Sequence, residues 1–308
     1  MGDFKNEFSW SVSRDAAFKE CKRKYYYAYY GYWGGWDRNN ADHVTRTLYV
    51  LKQLQNRWLW KGSVVHHEIE RVLKELVTTG RLVPFEKSVE RVRHMMREGF
   101  RYSRDKLYWD HDGSMKNKTA LFEHEYETGT PDKVWKKNYD EVVECLKAFY
   151  ESPVLEEIKN TPHDKIISIE SMNGAHFSFS GDKYFVKLDL AYEKDGGIEI
   201  VDWKTGSGEA DDFQFRLYTL YAAEELDVPR ETISLTEYKL QSGECAVHKF
   251  TKEDLAATEG YIKNSIREMK DSLSDEAENS AVMKDFPRTE DEKTCEYCNF
   301  RKICFDLD

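Results

Sequence analysis

The sequence predicts an α/β fold with a helical insertion, built as one compact domain. Apolar residues at helical spacing dominate the first half of the 308-residue chain, up to about residue 160. From residue 165 the pattern changes to the alternating and β-branched runs typical of strands, separated by short glycine-containing turns. Neither an internal repeat nor a long linker divides the chain, so we expect one domain rather than two independent units.

The first half is predicted to be mainly helical. A helix within residues 9–33 places Phe18, Cys21, Tyr25 and Tyr29 on one face. Further amphipathic runs predict helices over 45–59, 64–73, 85–108 and 134–160.

The second half is predicted to supply the sheet. Strand patterns occupy residues 165–171, 175–180, 184–193 and 198–204. A helix over 211–226 follows, then strands over 233–241 and 245–250 and a charged helix over 252–278. Asp189 ends one of these strand patterns, and Asp202 lies near the end of the next.

Composition excludes several classes of protein. With 40% hydrophobic and 33% charged residues, the chain is neither disordered nor collagen-like. It contains no long apolar run, so we expect a cytoplasmic protein that does not contact a membrane. The net charge of −11 argues against binding nucleic acid over the whole surface. Residues 1–62 nevertheless carry 11 Lys and Arg against 6 Asp and Glu, which leaves room for a local basic face.

Two acidic side chains and a lysine lie near the ends of neighbouring predicted strands. Side chains two apart in a strand point the same way, so Asp202 and Lys204 share one face while Trp203 faces the other. Two carboxylates, here Asp189 and Asp202, suit a hard divalent cation such as Mg²⁺. A lysine beside that cation can orient a water or neutralise phosphate charge. Taken alone, the pattern is more often that of a hairpin with solvent-facing charges.

The cysteines divide into two groups. Three of the six lie in a C-x2-C-x5-C run near the C-terminus, and the fourth of this group, Cys21, lies in the aromatic N-terminal segment. Cys145 and Cys245 lie instead in an ordinary helical and an ordinary strand pattern. Four thiolates fit zinc as well as an iron–sulfur cluster, and spacing alone does not decide between them. The three C-terminal cysteines are Cys295, Cys298 and Cys304.

Two helical motifs accompany the acidic strands. A Gly-x3-His motif ends at His66, and a Gln-x3-Tyr motif runs from Gln214 to Tyr218. With Asp189, Asp202-Trp203-Lys204 and the cysteines, these motifs resemble the PD-(D/E)XK nuclease superfamily. The resemblance is closest to its RecB-like branch, in the iron–sulfur form of CRISPR-associated exonucleases and helicase-linked nuclease domains. Lys22 departs from it, because relatives often carry proline after the first cysteine.

The resemblance implies a restriction-endonuclease-like core, a mixed central sheet flanked by helices, and a Mg²⁺ or Mn²⁺ site. The implied metal ligands are His66, Asp189, Asp202 and the backbone carbonyl of Trp203. It further implies that Lys204 positions the attacking water and that Gln214 and Tyr218 act near the scissile phosphate. Each residue also has a simpler interpretation, for example a packed helix histidine at His66 or a core tyrosine at Tyr218. Glu170 is equally a second-metal group or an ordinary exposed strand residue.

The resemblance also implies a [4Fe–4S] cluster that joins the two ends of the chain, with zinc as the alternative. Its ligands are Cys21, Cys295, Cys298 and Cys304. The predicted nuclease domain then covers 1–308. Its parts are an N-terminal cluster segment with helices (1–62), a helical insertion (63–160), the nuclease core (161–250), and a C-terminal helix with the second cluster segment (251–308).

The N-terminal segment offers candidate contacts to nucleic acid. Residues 22–36 mix basic side chains with tyrosine and tryptophan, as in platforms that bind single strands. Lys22, Arg23 and Lys24 are the candidates for phosphate contacts, whereas Tyr25 and Tyr29 are expected to pack in the core.

The sequence therefore predicts a metal-dependent phosphodiesterase that acts on DNA. An exonuclease on single strands or frayed ends, in CRISPR adaptation or in recombination and repair, fits the resemblance best. Its partners would be DNA and, within such a pathway, a CRISPR integrase or repair proteins. The alternative is a non-catalytic iron–sulfur subunit that binds DNA or acts as a scaffold in a nuclease complex.

Overall fold

The computed structural model describes residues 5–169, 175–179, 182–206, 208 and 212–307. A five-stranded sheet with the order β1-β4-β5-β6-β7 forms its centre. Strand β5 pairs in parallel with β6, whereas the other pairs in this sheet are antiparallel. The strands of this sheet are β1 (Ile166–Ile169), β4 (Leu190–Lys194), β5 (Gly197–Lys204), β6 (Ile233–Lys239) and β7 (Cys245–His248). A separate hairpin is formed by β2 (Ala175–Phe179) and β3 (Asp182–Val186).

Helices cover both faces of the sheet, which confirms the predicted α/β class. The N-terminal helices are α1 (Val12–Glu20), α2 (Lys22–Tyr26), a π-helical turn (Tyr27–Gly31) and α3 (His43–Lys52). The helices between these and the sheet are α4 (Arg57–Thr79), α5 (Phe85–Arg104), α6 (Phe122–Glu125), α7 (Asp132–Tyr150) and α8 (Pro153–Asn160). The helices after β5 are α9 (Asp212–Glu225), α10 (Lys252–Lys270), α11 (Glu292–Glu296) and α12 (Arg301–Cys304).

Strand β5 has apolar side chains on both faces, and helices cover both of them. Its middle residues are all buried, as expected for a central strand between two helical layers. Val201 and Trp203 pack into the core formed with α4 and α7. Ile198 and Ile200 pack on the opposite face, in the core shared with α9 and α10. The alternation predicted for Trp203 and its neighbours is therefore present.

Several long predicted elements are broken in the structure, and two of the breaks bear on the site. The predicted helix over 9–33 stops at Cys21, which has an extended backbone and caps α2 by accepting from the Lys24 N–H. The predicted strand over 184–193 is divided between β3 and β4, which belong to different sheets. Asp189 lies in the bend before β4 rather than at the end of a strand, so that part of the prediction was wrong.

The two ends of the described chain meet in a third core. Tyr27 and Leu51 pack there with Phe300 and Ile303, and the Tyr27 and Phe300 rings are 5.4 Å apart. This packing brings the segment around Cys21 next to the C-terminal cysteines. Across the described ranges, no helix combines the length and the apolar character needed to cross a bilayer.

Candidate active site

Asp189 is fixed by two neighbouring elements. One carboxylate oxygen, Oδ2, accepts a 2.8 Å hydrogen bond from the Trp203 backbone N–H of β5. The other, Oδ1, lies 3.1 Å from Nδ1 of His66, which projects from α4. The bend before β4 thus turns the Asp189 side chain toward both β5 and α4. Asp189 reaches these contacts without lying at the end of a strand.

Asp202 and Lys204 emerge from the same face of β5, as the strand alternation requires. The Lys204 ammonium Nζ lies 2.7 Å from Asp202 Oδ2. It also donates to the side-chain oxygen of Gln214 on α9, at 2.9 Å. Lys204 is thereby held between an acidic strand residue and the helix that covers this face.

Gln214 and Tyr218 extend the network along one face of α9. The Gln214 amide donates to the Tyr218 hydroxyl at 2.5 Å, and that hydroxyl lies 3.2 Å from Asp202 Oδ1. The Tyr218 hydroxyl is also 2.9 Å from the backbone carbonyl of Lys187, just before Asp189. Tyr218 is almost fully buried, so it serves the core and the polar network together. The side chains predicted as catalytic form two connected sets, His66–Asp189 and Asp202–Lys204–Gln214–Tyr218, linked through β5.

The two acids are held in different electrostatic environments. Burial favours the neutral form of Asp189, but His66 and the Trp203 N–H outweigh it and keep the pKa of this carboxyl below its usual value. For Asp202, burial and the nearby charge of Asp189 raise the pKa to about 6, although Lys204 opposes the shift. Asp202 is therefore the acid whose ionised form is costly in this fold.

A close approach of α4 to β5 explains the glycine in the Gly-x3-His motif. A Cβ atom on Gly62 would lie 3.1 Å from the hydroxyl oxygen of Thr205, the residue after Lys204. The same helix, capped by Asn56 and ended by Gly80, carries His66 one turn further on. Adjacent His67 is exposed and lies 3.8 Å from Glu70, so it faces away from the acids as expected.

The donor set at this site fits a divalent cation. Asp202 Oδ2 is buried and pairs with the Lys204 ammonium at 2.7 Å. Such an oxygen, next to a second buried carboxylate, is suited to a hard cation. In the part of the chain that the structure describes, no three His, Cys, Asp or Glu side chains are gathered to hold an ion. The acids contact His66 and Lys204 instead.

The four predicted cysteine ligands line one pocket. Cys21 and Cys295, Cys298 and Cys304 face it together with Lys24, Arg288 and Arg301. Burial raises the pKa of Cys298 to about 11, and the neighbouring Lys24 acts in the opposite direction. Cys145 is buried in α7 within another core, and Cys245 is exposed on β7. Four of the cysteines thus line one pocket, whereas Cys145 and Cys245 lie elsewhere.

The predicted phosphate contacts of the N-terminal segment are not all available. Arg23 is buried and donates to the backbone carbonyl of Phe286 at 2.8 Å, so its prediction as a DNA contact was wrong. Lys24 forms an ion pair with Glu20. Tyr25 is fully buried, as expected. Glu170 lies outside the described residues.

A buried pair near the site was not predicted from sequence. Glu237 on β6 stands in register with Asp202 on β5, and it is only 2% exposed. His248 on β7 lies 3.4 Å from Glu237 and packs on the ring of Phe215 from α9. The residue types alone do not predict this pair, because pairing of β6 with β7 brings the two side chains together and neither strand contains a motif.

The fold and site define an α/β protein with a carboxylate–lysine centre on a mixed sheet. A model of the PD-(D/E)XK nuclease superfamily matches residues 9–305. The chain belongs to the PD-(D/E)XK nuclease superfamily, as the sequence predicts. Members are typically phosphodiesterases that cleave nucleic acids and generally use Mg²⁺ or Mn²⁺. No curated protein matches the chain significantly.

Proposed function

We propose that this protein is a Mg²⁺- or Mn²⁺-dependent deoxyribonuclease with its active site at Asp189, Asp202 and Lys204. The observation that carries the proposal is the placement of Asp202 Oδ2, a buried acidic oxygen that lies 2.7 Å from the Lys204 ammonium and near a second buried acid. A structural ion pair would need neither the second acid nor the glutamine and tyrosine that surround it.

The chain's own residues divide the work of hydrolysis. Asp189 and Asp202, with His66 and the Trp203 carbonyl, would hold the cation, which when bound stabilises negative charge on the scissile phosphate. Lys204 orients the attacking water, since its ammonium is held by Asp202 and Gln214. Tyr218 and Gln214 hold the other two side chains in position. Tyr218 contacts Asp202, and Gln214 contacts Lys204. Positioning of this kind is the main contribution of a protein to phosphoryl transfer.

The substrate is single-stranded DNA or frayed ends, and the mode of attack is exonucleolytic. Support comes from the resemblance to RecB-like exonucleases. CRISPR adaptation, or recombination and repair, is the pathway that this resemblance favours.

Degradation of labelled oligonucleotides tests the activity. A 5′-labelled and a 3′-labelled single strand, each incubated with Mg²⁺ or Mn²⁺, should be shortened from one end, and EDTA should stop the reaction. Asp202→Asn and Lys204→Ala should lower the rate by at least about 100-fold, in line with the loss of a charge-stabilising group. Glu224→Gln, an exposed change on α9, is the matched control and should retain the wild-type rate.

The outcome also separates the enzyme from the non-catalytic alternative. A folded wild-type protein that binds DNA but cleaves neither strand with either metal would be a binding or scaffold subunit. Cleavage at wild-type rate by Asp202→Asn would place the active site elsewhere.

The cysteine pocket supports a [4Fe–4S] cluster as the second cofactor. The four cysteines face one pocket, although no site for a single ion is assembled among the described residues. The choice of a cluster over zinc rests on the resemblance to iron–sulfur RecB-like nucleases. The thiolate ligands of such a cluster are negatively charged. Lys24, Arg288 and Arg301 around the same pocket supply compensating positive charge.

A further inference from the structure

The N-terminal segment contains two cations that converge on one pair of tyrosines. The Arg14 guanidinium lies 4.4 Å from the centre of the Tyr29 ring. The Lys52 ammonium lies 5.3 Å from the centre of the same ring and 3.5 Å from that of Tyr32. Arg14 belongs to α1, Lys52 is the last residue of α3, and the π-helical turn between them presents Tyr29. Short π-helical segments are frequent at functional sites.

Among the residues that the structure describes, neither cation has an acidic partner. Lys52 is partly buried, donates no hydrogen bond and has no carboxylate within 4 Å among the described residues. The Arg14 guanidinium donates one hydrogen bond among the described residues, to the backbone carbonyl of Ser9 at 3.1 Å. The titratable groups around the two cations are five tyrosines and one further cation. They are Tyr25, Tyr29, Tyr30, Tyr32, Tyr49 behind Tyr32, and Lys24 near Tyr29. Other half-buried lysines differ in this respect: Lys61 lies 2.6 Å from Glu141, and Lys204 lies beside Asp202.

A half-buried ammonium without a counter-ion is costly, because it loses hydration and gains no opposite charge. Burial, with Arg14 in addition, lowers the pKa of Lys52 to about 7. The tyrosine rings compensate in part through cation–π contact. An anion bound close to the two cations would compensate much more, because it adds opposite charge where each lacks it.

We propose that Arg14 and Lys52, held on Tyr29 and Tyr32, bind a phosphate group of the nucleic acid strand. The proposal rests on the proposed function, because it takes the substrate to be a nucleic acid, and it moves the N-terminal contact away from Arg23. Arg14 contributes a planar donor group suited to phosphate oxygens, and Lys52 contributes a point charge. Such a contact is independent of base sequence and positions the strand without reading it.

Binding without catalysis tests the site directly. Anisotropy of a labelled 20-nucleotide thymidine strand is measured in EDTA at several KCl concentrations, so cleavage does not enter. Lys52→Met keeps the aliphatic packing on Tyr32 and removes the charge, and Arg14→Gln removes the other cation. Each should reduce the slope of log affinity against log salt by about 0.7, the value for one lost contact on a single strand. The exposed Lys133→Gln on α7 is the matched control and should keep the wild-type slope.

The pH profile distinguishes a phosphate contact from simple packing. Only protonated Lys52 attracts phosphate, so wild-type affinity should fall as the pH rises through about 7 and above. Lys52→Met should lack this component, and Lys52→Arg should bind tightly across the range because arginine stays charged. The proposal would be overturned if Lys52→Met and Arg14→Gln both kept the salt slope and the pH profile of the wild type.

Two further outcomes are informative. If inorganic phosphate raises the melting temperature of the wild type but not of Lys52→Met, while the strand does not bind, the site takes free phosphate and the proposal is wrong. If the strand binds as expected but no metal supports cleavage, the phosphate site stands and the proposed nuclease activity fails. Melting temperatures in phosphate-free buffer show that the variants fold, and Lys52→Met should melt no lower than wild type.

Discussion

Asp202 carries the largest electrostatic cost of the site residues. It is 4% exposed, it lies near Asp189, and its pKa is raised to about 6. Lys204 and Tyr218 contact the two carboxylate oxygens and reduce the cost, but the pKa stays raised. The side chains around Asp202 therefore do not fully compensate the negative charge of its ionised form.

Asp202→Asn should stabilise the protein in EDTA at neutral pH. The folded pKa of Asp202, about 6, lies above its ordinary value of 3.8, so ionisation costs stability. That cost is absent below about pH 4, grows between pH 4 and 6 and is complete above pH 6. We expect a gain of about 1–3 kcal/mol at pH 7.5, less whatever Lys204 loses with its partner.

Thermal unfolding of both proteins between pH 4 and 8 measures this gain. The difference in melting temperature should shrink toward zero at the acidic end. An equal difference at every pH would mean that the substitution acts through packing rather than charge.

Gly62→Ala probes the contact between α4 and the residue after Lys204. The added methyl group would approach the Thr205 hydroxyl to 3.1 Å and push α4, with His66, outward by a few tenths of an ångström. Alanine in a helix interior otherwise adds up to about 1 kcal/mol of stability over glycine. We expect the nuclease rate to fall several-fold while the melting temperature stays the same or rises, because small displacements of catalytic groups are expensive.

A second substitution provides the control. Thr205→Ala removes the opposing oxygen, so the double variant should regain most of the rate lost by Gly62→Ala. Equal rates for Gly62→Ala and its double variant would show that the contact does not position His66.

At the scale of elements, the helix breaks at Cys21 and at residues 53–56 determine where the site-bearing helices begin. Cys21 caps α2, and Asn56 caps α4 through the N–H groups of Trp58 and Leu59. These breaks let the aromatic segment fold back against the C-terminal cysteines instead of continuing as one long helix.

The cysteine elements should behave as one unit. Serine in place of Cys21, Cys295, Cys298 or Cys304 should abolish the visible absorbance of the anaerobically purified protein and lower its melting temperature, because all four thiolates are needed by the cluster. Cys145→Ser and Cys245→Ser are the matched controls, since one lies in the core of α7 and the other is exposed on β7. Iron content and absorbance measure the outcome. Zinc in place of iron in the wild type, or equal loss of colour in Cys145→Ser, would contradict the cluster or its ligand set.

The sequence was sufficient for the class of fold and for the residues that meet at the site, because motifs are local. Strand alternation correctly placed Asp202 opposite Trp203, and helical spacing correctly put Gln214 and Tyr218 on one face. The sequence-based prediction was wrong where tertiary contacts determine the structure. The apolar run that contains Asp189 is continuous in sequence, yet pairing with two different partners splits it between two sheets.

Contacts between distant segments account for the remaining differences. Nothing in the spacing of Arg14 and Lys52 indicates that they share a pair of tyrosines, because the π-helical turn that joins them has no sequence motif. Arg23 looked available in a basic run, but packing of the C-terminal segment buried it against Phe286.

For the whole molecule, the site joins layers that are distant in sequence. His66 comes from α4 on one face of the sheet, and Gln214 comes from α9 on the other face. Asp202 comes from β5 of the sheet, and Asp189 comes from the bend before β4. A ligand that binds such a set stabilises the complete fold, because the unfolded chain does not hold these side chains together.

Mn²⁺ should therefore raise the melting temperature of the wild type. At a concentration about 100 times its dissociation constant, a bound ion adds about 2.7 kcal/mol, or roughly 5 °C for a chain of this size. Asp202→Asn should reverse the order of stability. It should melt higher than wild type in EDTA, because the buried charge is removed. It should melt lower than wild type in saturating Mn²⁺, because a ligand of the ion is lost. Melting curves of both proteins across a Mn²⁺ titration at pH 7.5 measure the crossing, with Glu224→Gln as the control that should follow the wild type. An equal rise in wild type and Asp202→Asn would show that the ion binds outside this site.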